Sequence, residues 1–316
     1  MHHAINKCMN INEERISAMN KLYFYGKVFY LFLAGRNVPK DVIREDYDRM
    51  CVSYDRYFAG RMAGHARRLA AGLDLKPGHR VLDLATGTGN IAMALAGAME
   101  DQGEVIGIDQ SPGMLAKAEE KRLRAGYGSL RFVRGDLQGS LLSYRDNSFD
   151  AITCGWAIGY ASPPRLVRAI CRKLKPGGKL GLIENAHDTL APVYRASLQV
   201  AQALPRHLRQ VMDLQRRLPR DMPQLQSWFE SAGLRPLSLW EGREEFLFSS
   251  GAGVLDWVLH TGASAGYDRM MAPEIKPLCD ELFVKYLEEA APQKNRISVD
   301  HHYVAGIARK EELPCT

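Results

Sequence analysis

The chain has 316 residues, a formal net charge of +6, 25% charged residues and 46% hydrophobic residues. These values are those of an ordinary globular protein and exclude collagen-like, disordered and disulfide-scaffold chains. The six cysteines form no CxxC pair and have no neighbouring His at ligand spacing, so we predict free thiols, no metal site and a cytoplasmic location. No stretch reaches the roughly 20 apolar residues that a membrane-spanning helix needs. The excess of basic residues is too mild to favour nucleic acid as a partner.

The first 45 residues are predicted to form a helical extension. Six aromatic residues lie within ten positions of it, and Pro39 then interrupts the helical pattern. We expect this extension to form a lid over the site that binds the substrate. The alternative is that 22–33 lies on a membrane surface, as would suit a lipophilic substrate.

Residues 46–250 alternate between short apolar segments and helical segments, which is typical of a parallel sheet with crossover helices. Strands are predicted at 80–84, 104–108, 130–133, 149–154 and 179–184, and helices at 41–73, 90–98, 111–125 and 164–174. Further along the chain we predict helical segments at 187–222 and 222–232, a long bent strand at 235–248, a helical insertion at 251–297 and a final strand at 299–308 within a last segment, 298–316. We expect the insertion to act as a second lid, with a structural cap or a homodimer contact as the alternatives.

Gly87 and Gly89 follow the first predicted strand and open a helix. Without Cβ atoms, the backbone can turn sharply there and let a ligand approach closely. With Ala92 and with Asp109 about 20 residues further on, the same spacing fits a dinucleotide-binding loop. A tight strand–helix turn without a ligand is the third interpretation.

Three carboxylates at the ends of three successive strands separate these interpretations. Asp83 would repel a pyrophosphate but suits an ammonium group. Asp109 can accept hydrogen bonds from both hydroxyls of a ribose, and Asp136 with the Leu137 amide suits an adenine. The carboxyl ends of parallel strands share one edge of the sheet, where ligands of such folds bind. A ligand with an ammonium group, a ribose and an adenine but no phosphate is S-adenosylmethionine.

Two further motifs occur in the same order along the chain, Asp146-Asn147-Ser148-Phe149-Asp150 before the fourth strand and Lys175-Pro176-Gly177-Gly178 before the fifth. With the glycine loop, they make the chain resemble the class I methyltransferase family, and within it the UbiE/MenG-like group, over roughly 50–250 and 298–310. The resemblance implies a Rossmann-like, doubly wound α/β fold with a seven-stranded, mostly parallel sheet whose last strand is antiparallel. It implies methyl transfer from S-adenosylmethionine to O, N or C of a small-molecule acceptor. The cofactor contacts that we carry over are Tyr54, Asp83, Ala85, Thr86, Gly87, Gly89, Asp109, Gln110, Met114, Asp136, Leu137, Cys154 and Gly155.

The chain departs from the quinone-methylating members of that group after the fourth strand. They carry an Arg-Asn pair there, whereas this chain reads Trp156-Ala157-Ile158-Gly159-Tyr160. This difference favours another small molecule over a quinone ring. A lipophilic quinone-type precursor, RNA, a regulatory module without turnover and a nicotinamide-dependent oxidoreductase are the alternatives.

Methyl transfer from a sulfonium requires alignment of the acceptor, and an oxygen acceptor usually also requires a general base. Glu184 and His187 follow the fifth strand and are the candidate bases, although a strand-end carboxylate and a surface His are the structural alternatives. Trp156 and Tyr160 are candidates for an aromatic wall, with core packing as the alternative. Further candidates for substrate contact are Tyr57, His260 and Tyr267.

Overall fold

The computed structural model describes residues 18–212, 217–293 and 295–311. Residues 1–17 of the predicted N-terminal extension therefore lie outside the described residues. The N-terminal helices are α1 (Ala18–Leu33), α2 (Lys40–Tyr54), a π-helical segment (Asp55–Ala59) and α3 (Gly60–Gly72). Pro39 has extended backbone angles immediately before α2, which explains the break between the first two helices. The predicted helix at 41–73 thus consists of three consecutive helical segments.

Seven strands form one mixed sheet in the order β3-β2-β1-β4-β5-β7-β6. Their bounds are β1 Arg80–Leu84, β2 Glu104–Asp109, β3 Leu130–Arg134, β4 Phe149–Gly155, β5 Leu174–Asn185, β6 Leu234–Phe248 and β7 Ile297–Lys310. Strands β1 to β5 pair in parallel, and β7 runs antiparallel to both β5 and β6. The predicted fold class is therefore confirmed. The Lys175-Pro176-Gly177-Gly178 motif, which the sequence placed before the fifth strand, lies within β5, because Leu174 already pairs with Phe149 ahead of a bulge.

Helices cover both faces of the sheet and bury it. The remaining helices of the core are α4 Asn90–Ala98, α5 Pro112–Ala125, α6 Gly139–Leu142, α7 Pro163–Lys173, α8 Ala191–Ala203 and α9 Met222–Glu230. One hydrophobic cluster lies between the sheet and α7 and α9, and a second lies between the sheet and α3 and α4. Because parallel strands are buried on both faces, they read as continuous apolar runs. In β1 this run is interrupted by one polar residue, Asp83, which is as buried as its neighbours.

The insertion between β6 and β7 contains α10 (Gly251–Leu259), α11 (Lys276–Ala290) and short 3-10 turns between them. Helix α11 packs on α8 and on α10, and both helices of the insertion share a hydrophobic cluster with Phe58, Met62, Leu190 and Val299. The insertion therefore lies beside the carboxyl edge of the sheet. In the part of the chain that is described, no helix combines the length and the apolar character needed to cross a membrane.

Candidate active site

A cavity of about 630 Å³ opens at the carboxyl ends of β1 to β4, and we call it the main cavity. This is the edge at which open α/β sheets bind ligands, and the volume lies within the range of about 300–1,000 Å³ that is typical of small-molecule sites. The structure brings together ten of the predicted cofactor contacts in its wall: Tyr54, Ala85, Thr86, Gly87, Asp109, Gln110, Met114, Asp136, Leu137 and Gly155.

The glycine loop has the left-handed backbone angles for which glycine is suited. The φ angle is +55° at Gly87 and +83° at Gly89. A Cβ at Gly87 would meet nothing within 4 Å, so the loop leaves open space above it. A Cβ at Gly89 would lie 3.0 Å from the Phe132 ring, so this glycine permits close packing against β3. Gly87 therefore faces the cavity, whereas Gly89 does not line it and serves the packing of the loop.

Asp109 ties the glycine loop to the end of β2. One carboxylate oxygen accepts a hydrogen bond from the Gly87 amide at 2.9 Å, and the other accepts one from the Ser111 amide at 2.9 Å. Burial raises the pKa of this carboxyl, and the negative charge of Asp48 adds to the effect. Each oxygen keeps a lone pair that can accept from a ligand hydroxyl. The carboxylate is thus held rigidly at the cavity wall.

Asp136 is placed in the same way at the end of β3. Its Oδ1 accepts from the amides of Gln138 and Gly139 at 3.0 and 2.8 Å, which closes the turn into α6. Leu137 follows in the cavity wall and provides an apolar surface for a flat group. The two carboxylates that end β2 and β3 therefore face one cavity, as the sequence predicted.

Asp83 does not line the main cavity, and the predicted contact with an ammonium group is corrected. Its two oxygens accept from the hydroxyls of Thr86 and Thr153, both at 2.6 Å, and burial raises its pKa to about 6. The side chain lies under the loop between β1 and β4 because β1 is covered on both faces. Asp83 therefore positions Thr86, which does line the cavity.

Cys154 is likewise corrected as a cofactor contact. It pairs with Leu84 on one side and with Leu182 on the other, and its side chain is buried in the hydrophobic core. Side chains alternate between the two faces along a strand, so the next residue, Gly155, reaches the cavity instead. A Cβ on Gly155 would contact the end of the Ile91 side chain, which would have to move to make room for it.

Tyr54, a predicted cofactor contact, and the next residue, Asp55, have different roles. Tyr54 lines the main cavity. Asp55 binds the amine of Lys121 at 2.8 Å and the hydroxyl of Thr88 at 2.6 Å, while the same amine donates to Asn90 Oδ1 at 2.8 Å. This network fastens the end of α2 to the glycine loop. Earlier in α2, Asp48 fastens the same helix to the start of α5, where it accepts from the Ser111 hydroxyl and the Gly113 amide.

A smaller cavity of about 50 Å³ lies beside the main cavity, and we call it the inner cavity. Both cavities share a wall of aromatic residues: Tyr47, Tyr54, Phe58, Trp156 and Tyr160. The hydroxyls of Tyr47 and Tyr160 lie 2.9 Å apart. The inner cavity is closed by Glu184, Asn185, His301 and residues of the insertion, including Trp257 and Tyr267.

Glu184 is the candidate base that the structure places in the site. One carboxylate oxygen accepts from the Ile158 amide at 2.7 Å and the other accepts from the Asn185 amide at 2.8 Å. Despite these hydrogen bonds, burial raises its pKa to about 7. A carboxyl that titrates near neutrality is suited to accept a proton from a ligand.

His187 lies outside both cavities. Its side chain is exposed, and its Nδ1 lies 3.2 Å from the carbonyl oxygen of Arg220. The chain turns away from the sheet edge after β5. His187 therefore lies away from Glu184, although only three positions separate the two residues in sequence. It lines a different, apolar cavity beside α8.

Some of the predicted substrate contacts line the two cavities and others do not. Trp156 and Tyr160 line both cavities, and Tyr267 lines the inner cavity beside Tyr194, with ring centroids 5.8 Å apart. Tyr57 and His260 stack on each other with ring centroids 5.0 Å apart and line neither cavity. They are corrected as substrate contacts, because Tyr57 Oη donates to Asp256 at the surface of the insertion.

Sequence reasoning missed Phe58 and His301, which line the inner cavity. The register of the last strand carries the signal for His301, since Asn185 pairs with Tyr303 and thereby brings residue 301 beyond the end of β5. The alternation of side chains along β7 does not predict with which residues of β5 that strand pairs. Phe58 lies in the π-helical segment, whose turn differs from the helical period that the sequence predicts.

Comparison with known proteins identifies the family to which the chain belongs. Residues 40–234, more than half of the chain, match the ubiE/COQ5 methyltransferase family. The chain belongs to this family. The match confirms the predicted class, a methyltransferase dependent on S-adenosylmethionine.

Individual relatives cover less of the protein. A demethylmenaquinone methyltransferase of Symbiobacterium thermophilum is 34% identical over 148 residues, which are 45% of this chain and 58% of that protein. The chain spans about half the length of the curated relatives it matches. The YcgJ protein of Bacillus subtilis is 19% identical, with a TM-score of 0.53 over 79% of this chain and 100% of that chain. The [4+2]-cyclase SpnF is 22% identical, with a TM-score of 0.50 over 79% of this chain and 81% of that chain. These two structures share the fold, and the reaction must be argued from the site.

The described residues fit S-adenosylmethionine. Asp109 offers fixed acceptors for two ribose hydroxyls, and Asp136 offers one for an adenine amine. Met114 and Leu137 line the same wall and provide apolar surface for a flat ring. Gly87 leaves the loop open for the remaining end of the molecule.

Proposed function

We propose that this protein transfers the methyl group of S-adenosylmethionine to a hydroxylated small-molecule acceptor. One observation carries the proposal: the cavity walled by Asp109 and Asp136 adjoins an inner cavity that contains the carboxyl of Glu184. This arrangement provides a donor site and a proton acceptor on two sides of one aromatic wall. A methyl acceptor bound against that wall would lie between the methyl donor and Glu184.

In this mechanism the cofactor supplies an electrophilic methyl group and a sulfur leaving group. Glu184 takes the proton of an acceptor hydroxyl. Held by Asp109 and Asp136, the cofactor would supply the methyl carbon, to which the electron pair left on the acceptor would bond as the bond from that carbon to sulfur breaks. Trp156 and Tyr160 orient the acceptor, and the closed aromatic wall excludes water.

The test is an assay with methyl-labelled S-adenosylmethionine, purified protein and a small-molecule extract of the source cells. We expect label to move into an organic-soluble product whose identity gives the acceptor. Boiled protein is the control. If the protein binds the cofactor by calorimetry and label moves only into tRNA or protein, the small-molecule proposal is wrong.

We further propose that the acceptor is lipophilic and reaches the site from a membrane surface. The names of the relatives, demethylmenaquinone methyltransferases, support an acceptor of the quinone-precursor kind. Helix α1 supports a surface contact, because eight of its large apolar and aromatic side chains are exposed: Met19, Leu22, Tyr23, Tyr25, Phe29, Tyr30, Phe32 and Leu33. Residues 18–40 contain four basic residues and no acidic residue, which suits an anionic lipid surface.

An apolar cavity of about 530 Å³ lies between α1 and the main cavity. Phe24 and Val28 of α1 line it, together with residues of α8, α10 and α11. Val211 and Met212 line both this cavity and the main cavity. It could therefore accommodate the apolar part of an acceptor whose polar part lies near Glu184.

Substituting both Leu22→Glu and Phe29→Glu is expected to weaken binding to vesicles of phosphatidylcholine and phosphatidylglycerol by roughly tenfold or more, because two apolar side chains no longer enter the interface. The matched control is Leu142→Glu, since Leu142 is 75% exposed on α6 and Leu22 is 76% exposed on α1. Vesicle co-sedimentation measures the effect. Equal binding of the three proteins, or a change in self-association instead, would contradict the membrane contact.

A further inference from the structure

Arg44 lines the main cavity with a buried donor that has no partner. Its Nε is buried and makes no hydrogen bond within the described part of the chain. Its Nη2 lies 3.9 Å from Asp41 and 3.8 Å from Glu45, which is too long for a hydrogen bond, and these carboxylates are 83% and 55% exposed. Because an unpaired buried donor costs free energy, Arg44 is suited to bind a ligand in the cavity.

Two further cations line the same cavity, Lys40 and Arg217. Neither forms an ion pair or a side-chain hydrogen bond with another of the residues that the structure describes. The acidic residues of the cavity, Asp109 and Asp136, already accept from backbone amides at the ends of β2 and β3. The three cations, which we call the basic wall, are therefore not paired with an acidic side chain of the described cavity wall, and their field attracts an anion.

The basic wall is remote from the amino-acid end of the cofactor. Helix α2 is attached to the glycine loop at its last turn, where the Thr88 hydroxyl donates to Asp55 at 2.6 Å. Arg44 precedes Tyr54, the last residue of α2, by ten positions, which is about 15 Å along the helix axis. The open loop at Gly87 accommodates the amino-acid end, so we assign Arg44 to a different anion.

Apolar residues connect the basic wall with the aromatic wall. Val38 and Ile43 are buried in one hydrophobic cluster, and Tyr160 packs against this cluster. Val38, Ile43 and Tyr160 all line the main cavity, and Tyr160 also lines the inner cavity that contains Glu184. A molecule that lies along these residues would have one end beside Tyr160 and the other end beside Arg44.

Charge determines the direction in which such a molecule lies. Glu184 belongs to the wall of the inner cavity, and no Lys or Arg is found among the described residues that line it. An anionic group there would be desolvated beside a carboxyl without a compensating cation. The anionic end of the molecule therefore lies at the basic wall.

We propose that Lys40, Arg44 and Arg217 bind an anionic substituent of the acceptor, a carboxylate or a phosphate, and so hold the opposite end of the acceptor toward Glu184. The proposal rests on the proposed function for the reactive end of the acceptor. A guanidinium presents paired N–H donors that match both kinds of oxyanion. The proposal concerns binding, so it can be tested without turnover.

The test compares 2-naphthoate and 2-naphthyl phosphate with the neutral 2-naphthamide by calorimetry at low ionic strength. It is done on protein saturated with S-adenosylhomocysteine and on protein without it. We expect the wild-type protein to bind one of the anions about tenfold more tightly than the amide, and that anion identifies the substituent. The preference should fall toward unity in Arg44→Gln, and less in Lys40→Met and Arg217→Gln, whose side chains are more exposed.

The matched control is Arg36→Gln, which removes the same charge. Arg36 is exposed, precedes Lys40 by four positions and lines neither the main nor the inner cavity. This variant should keep the full preference for the anion. The affinity of Arg44→Gln for S-adenosylhomocysteine should stay within about twofold of the wild-type value, because the two sites are distant. If Arg44→Gln fails to fold in a thermal unfolding control, the double variant Lys40→Met and Arg217→Gln decides the result.

Three outcomes would overturn the anion site. The wild-type protein could bind the anions and the amide equally. The preference could persist in Arg44→Gln while binding to phosphatidylglycerol vesicles weakens, which would assign the basic wall to lipid headgroups. Arg44→Gln could lose S-adenosylhomocysteine affinity as strongly as naphthoate affinity, which would assign Arg44 to the cofactor. Absence of S-adenosylhomocysteine binding by the wild-type protein would instead refute the proposed function, and the naphthyl compounds would still be measured without it, so the two failures are distinguishable.

Discussion

Replacing Asp109 by alanine is expected to lower the affinity for S-adenosylmethionine by about a hundredfold or more. Two hydrogen bonds from ribose hydroxyls to a carboxylate contribute about 1.5 kcal/mol or more each, and about 1.4 kcal/mol corresponds to a factor of ten. The substitution also removes the acceptors for the Gly87 and Ser111 amides, so the glycine loop loses its attachment to β2. Calorimetric titration with the cofactor measures the loss.

Asp101→Ala is the matched control for this prediction. Asp101 also accepts from two backbone amides, those of Gly128 and Ser129 at 2.8 Å, but it precedes β2 at the opposite edge of the sheet. We expect cofactor affinity to be unchanged in this variant. Asp109→Asn, which keeps one acceptor oxygen, should give an intermediate loss. Equal affinities of Asp109→Ala and the wild-type protein would refute the assignment of the cofactor site.

Replacing Glu184 by glutamine is expected to lower kcat about a hundredfold to ten-thousandfold with an oxygen acceptor, because the amide cannot accept the proton. The KM for S-adenosylmethionine should stay within about twofold, since Glu184 does not line the main cavity. The wild-type rate should rise with pH through about 7 and then level off, because only the ionised carboxylate is a base. The glutamine variant should lack this inflection.

Stability gives a second readout for Glu184. Its pKa in the folded protein, about 7, lies above the ordinary value of 4.5, so the native structure holds the protonated form better. The free energy of unfolding should therefore fall by about 3 kcal/mol as the pH rises from about 4.5 to about 7, and Glu184→Gln should lack this fall. Denaturant unfolding at several pH values measures the difference.

Asp83→Asn is the matched control for the pH profile of activity. Asp83 is also a fully buried carboxyl whose pKa is raised, to about 6, but it lies under the glycine loop and not in the inner cavity. This variant should retain the inflection near pH 7. An inflection that disappears in Asp83→Asn and persists in Glu184→Gln would assign the titration to the loop and contradict the role of Glu184 as the base.

The sequence by itself determined the sheet, the glycine loop and the edge at which the cofactor site lies. These features depend on short segments: an apolar run, a Gly-x-Gly turn and an acidic residue at the end of each of two strands. Parallel strands of one sheet end at the same edge, so Asp109 and Asp136 had to meet there once the strands were recognised. The strand-end carboxylates predicted S-adenosylmethionine, and the family resemblance implied the same cofactor.

Tertiary structure alone decided which side chains reach the cavities. Asp83 is held under the loop by the nearby Thr86 hydroxyl and by the hydroxyl of Thr153 on β4, 70 residues further along the chain. His187 is removed from Glu184 by the direction that the chain takes after β5, and His301 is brought beside Glu184 by the register of β7. Such placements depend on partners that are distant in sequence, and helix and strand periodicity specifies only a face, not the partner that it meets.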